Sequence, residues 1–250
     1  MGHRSLILGA ASAAAGWTLL AAAPALAAGW HVAPSASPNG YKNQLQAVVR
    51  VPGTSQFWAA GDTLDQVGPC RAAARGSRSG AAVDNATFAN SALVERSSGG
   101  SWSVVHAPAP PGSVRQSVTP LSAGQVWAVG SFVNACGVTR TLTERWNGAG
   151  WSIVPSANQT PGDNDALRSV IAVPGTGRLW AVGFSAAVGP ISERWSGSAW
   201  TLLAPARPGQ ASDLEAVAAG PGTTWAVGSF IPTVVGSGPV ERTLTERRAS

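Results

Sequence analysis

Residues 167 to 203 carry short apolar runs with period-two alternation, each closed by a turn signal. Leu167-Arg-Ser-Val-Ile-Ala-Val173 stops at Pro174-Gly175, and Arg178-Leu-Trp-Ala-Val-Gly183 follows after two residues. Ile191-Ser-Glu-Arg-Trp195 runs into the turn Ser196-Gly-Ser-Ala, and Trp200-Thr-Leu-Leu203 leads to Pro205. Such runs predict four short antiparallel strands in succession, and helical periodicity is scarce.

The same unit returns four times along the chain. W-A-[AV]-G begins at Trp58, Trp127, Trp180 and Trp225, and an E-R pair follows at Glu95-Arg96, Glu144-Arg145, Glu193-Arg194 and Glu246-Arg247. A second Trp with apolar residues after it stands at Trp102, Trp151 and Trp200, and once before the others at Trp30. A period of about 45 to 50 residues with four strands matches one blade of a β-propeller. The chain opens with a lone fourth strand, Trp30-His-Val-Ala33. It closes with three strands, Leu214 to Ala219, Thr224 to Ser229 and Thr243 to Arg248. The expectation is an all-β fold: a small propeller of four blades, each of four antiparallel strands, with the N-terminal strand completing the last blade and covering its edge. An open stack, or two chains forming a larger ring, is the alternative.

Alternation in W-A-V-G places Trp and Val on one face of each sheet and Ala and Gly on the other. The large face fills the gap toward one neighbour, and the small face lets the other neighbour approach. Ten of the 11 Trp fall in the repeat, so indoles supply much of the apolar content between sheets. The segment from Asp62 to Ala89 interrupts the first unit between its second and third strands, as an Ala-, Gly-, Ser- and Arg-rich insertion.

Composition adds compartment and excludes some partners. His3 and Arg4 precede an uncharged Ala/Leu-rich stretch from Leu6 to Ala23, and Ala25-Leu26-Ala27 is a small-x-small cleavage site. Residues 1–27 therefore read as a signal peptide, with 28–250 as one secreted or envelope-associated domain. No later run is long enough to span a bilayer. The net charge is +5, but no Lys/Arg run occurs and the Arg of the E-R pairs look architectural, so nucleic acid is not an expected partner. Cys70 and Cys136 each follow a W-A-[AV]-G segment and could form a disulfide between neighbouring loops; two free thiols is the other reading.

W-A-V-G followed by T-L-T-E-R-W-N-G-x-x-W-S-x-V-P-S resembles the repeat of exported bacterial propeller proteins grouped with Kelch-like or galactose-oxidase-like propellers. The resemblance spans about residues 30 to 248 and bears on architecture, since one fold hosts many functions. A copper site of the galactose-oxidase kind would need Tyr and His ligands with a Cys-linked Tyr. Here Tyr41 is the one Tyr, and His31 and His106 sit in different units. A sialidase would need an Arg cluster around a Tyr nucleophile with its acidic partner, and the turns before Trp102, Trp151 and Trp200 lack the Asp of an Asp-box.

Residues shared by every unit hold the sheets together; residues that break the pattern are the candidates for function. The E-R pairs fall in the first class, as salt bridges or hydrogen bonds between strands, the Arg of a neighbouring blade serving the buried Glu. The breakers lie in two loop sets, after second strands and after fourth strands, which open on one face of a propeller. Ligand-binding candidates there are Tyr41, Asp62, Arg115, Phe132, Asp165, Phe184, Asp213 and Phe230. Aromatic rings among acids suit a sugar or a peptide. Asp163-Asn164-Asp165 falls short of a full oxygen shell for Ca²⁺, so neither metal nor cofactor is expected. No catalytic residue is assigned. The reading is a non-enzymatic protein binding an extracellular glycan or protein, with a carbohydrate hydrolase or lyase acting through Asp62, Asp165 or Asp213, or an envelope-assembly module, as alternatives.

Overall fold

A computed structural model describes residues 34–36, 42–67, 87–98, 100–108, 110–159, 162–209, 211–232 and 240–249. They belong to one compact unit, Pro34–Ser250. All regular structure among them is β, and none of it is a helix long and apolar enough to cross a membrane. Trp30, Tyr41 and Cys70 lie outside the described residues, and with them the expected closing strand.

Four antiparallel sheets follow one another in chain order. Sheet 1 holds β1 (Lys42–Arg50), β2 (Phe57–Val67), β3 (Thr87–Ser98) and β4 (Ser101–Val104). Sheet 2 holds β5 (Val114–Ser122), β6 (Gln125–Val133), β7 (Thr139–Trp146) and β8 (Trp151–Ile153). Sheet 3 holds β9 (Asp165–Ala172), β10 (Leu179–Ser185), β11 (Gly189–Trp195) and β12 (Trp200–Leu203). Sheet 4 holds β13 (Ala211–Gly220), β14 (Thr223–Ile231) and β15 (Arg242–Ala249) among the described residues. First strands of successive sheets meet, β1 with β5, β5 with β9 and β9 with β13. Side chains of one first strand cap backbone N–H groups of the next: Ser117 Oγ accepts from Val170 N at 3.2 Å, and Ser169 Oγ from Val217 N at 3.2 Å. The insertion is shorter than its composition suggests. Strand β2 runs on to Val67 and β3 begins at Thr87, with Asp62 to Val67 paired against Ala92 to Thr87.

The alternation expected of W-A-V-G is present. Trp58 and Ala60 face sheet 2, where Val118, Val126, Ala128, Trp146 and Trp151 receive them. Trp127 and Val129 face sheet 3, against Val170, Leu179, Ala181, Trp195 and Trp200. Each wedge indole meets two others: Trp58 lies 5.1 Å from Trp146 and 5.3 Å from Trp151. Trp127 lies 4.6 Å from Trp195 and 5.6 Å from Trp200. Tilted and edge-on arrangements at these separations suit the ring quadrupoles. In sheet 4 no receiving indole stands among the described residues, and the Arg248 guanidinium lies 5.6 Å over the Trp180 ring.

The glycine of W-A-V-G has a cause other than the approach of a neighbouring sheet. Each first strand bulges opposite it, between Leu45 and Ala47, Arg115 and Ser117, Leu167 and Ser169, and Leu214 and Ala216. The bulge turns a carbonyl onto the glycine. A Cβ on Gly61, Gly130, Gly183 or Gly228 would lie 1.9, 1.9, 2.0 and 2.1 Å from the oxygen of Gln44, Val114, Ala166 and Asp213. Backbone cannot yield that far without breaking the pair. Gly183→Ala should destabilise the protein by about 3 kcal/mol or more. Gly124→Ala, whose Cβ meets nothing within 4 Å, should stay within about 1 kcal/mol of wild type. Urea unfolding of the two variants checks this; equal stabilities would mean that the bulge relaxes.

Candidate functional site

Sheets 3 and 4 enclose a cavity of about 490 Å³ at one end of their strands. Its walls come from the β10–β11 turn, the segment between β12 and β13, and the facing end of β14 with the residues before β15. Both expected loop sets thus open on the same side of this sheet pair. Phe184 from sheet 3 and Phe230 from sheet 4 line it, with Asp213, Arg207 and Glu241. Strand pairing fixes Asp213 opposite Ser229, whose backbone N–H and hydroxyl both donate to Asp213 Oδ1, at 3.2 and 3.0 Å. That carboxylate is held in one orientation with its other oxygen free of these two bonds.

The structure brings together three of the expected residues: Phe184, Asp213 and Phe230. Phe132 occupies in sheet 2 the place of Phe230, half-buried and away from this cavity. Arg115 is fully buried, and its Nε and Nη2 both donate to the Glu144 carboxylate. Asp62 is buried in sheet 1, accepting from Gln46 Nε2 at 3.3 Å. Asp165 is buried at the start of β9 and accepts from Gln159 N at 2.8 Å. Its neighbour Asn164 accepts from Thr139 N at 2.8 Å, so the Asp-Asn-Asp run ties sheets together. Among the described residues no group of three or more His, Cys, Asp or Glu could hold a metal. Cys136 is exposed with a free thiol in the β6–β7 turn, where Asn134 Oδ1 accepts from its N–H at 2.9 Å. Its expected partner lies outside the described residues.

Four groups at or beside the cavity went unsingled in the sequence: Arg168, Glu215, Arg207 and Glu241. Arg168 stands 4.9 Å over the Phe184 ring, a cation–π contact. It also lies 3.1 Å from Glu215 Oε1, at ion-pair distance though out of hydrogen-bond alignment. Desolvation raises the Glu215 pKa, against the pull of Arg168 and with support from the neighbouring Asp213 carboxylate. A signal was available: the bulge residue after Leu45, Arg115, Leu167 and Leu214 is Gln46, Gln116, Arg168 and Glu215 in turn, a position that changes charge between units.

The E-R pairs are structural, through hydrogen bonds and one salt bridge, but the Arg that serves Glu144 belongs to its own sheet and not to a neighbour. Alternation puts Glu and Arg on opposite faces. Glu95, Glu144 and Glu193 have no exposed surface. Glu95 accepts from Ser35 Oγ at 2.7 Å and Glu193 from Ser156 Oγ at 2.9 and 3.1 Å, while Glu144 takes Arg115 of its own sheet. The Arg instead caps the wedge indole: Arg96 over Trp58 at 5.7 Å, Arg145 over Trp127 at 5.9 Å and Arg247 over Trp225 at 5.7 Å.

No family model and no curated protein matches the chain. Among solved structures it is similar to a fucose lectin from Kordia zhangzhouensis in complex with methyl-fucoside, at 13% identity and a TM-score of 0.34. The match covers 64% of this chain and 97% of the lectin.

Burial pushes the Glu193 pKa up to about 8, against the Ser156 and Ala157 hydrogen bonds and with help from the Asp165 charge. Between the ordinary value of 4.5 and about 8, an unfolded Glu is ionised while folded Glu193 keeps its proton. The native state then binds more protons, and stability falls as pH rises through that window. Burial raises Glu144 in the same direction. The thermal midpoint should therefore drop from about pH 5 to about pH 8, and Glu193→Gln should flatten the drop. A midpoint that rises over this range, or a Gln variant with the wild-type slope, would contradict the burial account.

Proposed function

We propose that the chain is an exported, non-enzymatic β-propeller that binds an extracellular glycan in the cavity between sheets 3 and 4. The observation that carries the reading is the convergence of Phe184 and Phe230, from adjacent sheets, with Asp213, Arg207 and Glu241 on one concavity. Phenyl rings match the C–H face of a pyranose, and oriented carboxylates and a guanidinium match its hydroxyls. A concave site of this size suits a sugar ring better than a protein surface, which needs roughly 800 Å² on each partner. Four meander sheets in succession, with first strands against one another, support the propeller reading. The leader-like residues 1–27 support export. The buried positions of Asp62 and Asp165, each bonded within its own part of the fold, favour binding over carboxylate-pair hydrolysis.

A glycan array with the purified exported protein tests the proposal. Binding to a defined sugar class is expected, and Phe184→Ala with Phe230→Ala should weaken it by about tenfold or more. Phe132→Ala, away from the cavity, should bind as wild type. Silence across the array, or a double variant that binds normally, removes the site.

A further inference from the structure

The bulge residue of the first strand and the residue after the W-A-[AV]-G glycine meet in sheets 1 and 3. In sheet 1, Gln46 Nε2 donates to Asp62 Oδ1 at 3.3 Å. In sheet 3 the same two positions hold Arg168 and Phe184, and the guanidinium stands 4.9 Å over the ring. The other units place a serine after the glycine, Ser131 and Ser229, with Gln116 and Glu215 at the bulge. Arg168 Nε also lies 3.1 Å from Glu215 Oε1 of sheet 4. Arg168, Phe184 and Glu215 are thus three departures from the repeat that form one contact set.

Phe184 is a wall of the cavity, whereas neither Arg168 nor Glu215 is. The guanidinium therefore covers the ring from behind, and the face left to the cavity is the opposite one. Architecture does not ask for this set. The two charged side chains are partly exposed, 36% and 48%, and ion pairs in such surroundings add little to stability. A half-buried ring one residue from the end of β10 otherwise keeps rotamer freedom that a ligand would have to freeze. We infer that Arg168 and Glu215 are positioning residues of the sugar site: Glu215 of sheet 4 holds the Arg168 guanidinium of sheet 3 behind Phe184, so that the ring meets its ligand with one fixed face. Given that the cavity holds a glycan, as proposed above, a pyranose stacks on Phe184 from a single side. Its placement then depends on an ion pair that spans both sheets.

Fluorine NMR of protein made with 4-fluorophenylalanine reads the ring without any ligand. The chain has 5 Phe, and Phe184→Leu identifies the Phe184 signal. That signal is expected to move in both Arg168→Leu and Glu215→Gln, while the Phe132 signal stays. Titration with a sugar found on the array gives the second readout. Arg168→Leu and Glu215→Gln should each weaken binding by about fivefold or more at a nearly unchanged thermal midpoint. Arg168→Lys, which keeps a cation over the ring, should recover most of the loss. A Phe184 signal indifferent to both substitutions overturns the inference. So does a signal that moves while binding stays at the wild-type level, a result that leaves the cavity intact as a glycan site. A signal that moves in a protein that binds no sugar overturns the glycan reading, and the positioning role falls with it.

Discussion

An indole from the second strand of one sheet, driven between two indoles of the next, is the contact on which the architecture depends. Each such Trp buries about 200 Å², worth at most about 5 kcal/mol of transfer free energy. Sheets of three or four short strands have little else to bury on that face. The E-R arginine completes the contact by covering the open side of the ring, as with Arg145 over Trp127. The opposite face needs small residues, and Ala59, Ala128 and Ala181 have almost no exposed surface. One strand therefore specifies both neighbours of its sheet.

That requirement sets up the bulge and, through it, the variable position. A second strand bearing Trp and Val on one side must run close to its first strand. The bulge increases local twist and turns a carbonyl toward the glycine. The extra residue is left free of the ladder, so its side chain is not committed to either interface. Gln46 uses that freedom to reach Asp62, and Arg168 uses it to lie over Phe184 beside Glu215. Architecture and chemistry are separated within a few residues of one strand, the first serving Leu167 and the second Arg168.

Strand placement was legible because every signal in the unit agreed: alternation, β-branched runs and turn residues. Thr243 to Arg248 and Trp200 to Leu203 fall within or on β15 and β12. What stayed hidden depends on partners that no spacing encodes. Arg115 resembles a loop cation in the sequence, yet a carboxylate on the third strand of its own sheet claims it inside the core. Glu95, Glu144 and Glu193 look equivalent, but their bonds come from a serine, an arginine and a second serine in different segments. Phe184 and Phe230 meet because their offsets from W-A-V-G differ by one residue, which sends neighbouring sheets' rings toward a shared space. Pattern-breaking found the residues; only geometry showed which of them share a cavity.

The cavity sits at the joint where, among the described residues, the aromatic repeat is broken. Trp180 meets Arg248 where Trp58 and Trp127 each meet two indoles, and a second opening of about 340 Å³ remains beside it. Among the described residues, sheets 3 and 4 are therefore joined by less aromatic contact than the pairs before them. A ligand held by Phe184 on one sheet and Phe230 on the other spans that joint, so its binding free energy adds to the force holding the two sheets together. The linkage is reciprocal, and whatever fixes sheet 4 in place also sets the spacing of the two rings. Departure from the aromatic repeat at one joint thus creates both the space for a ligand and a mechanical connection between that ligand and the end of the array.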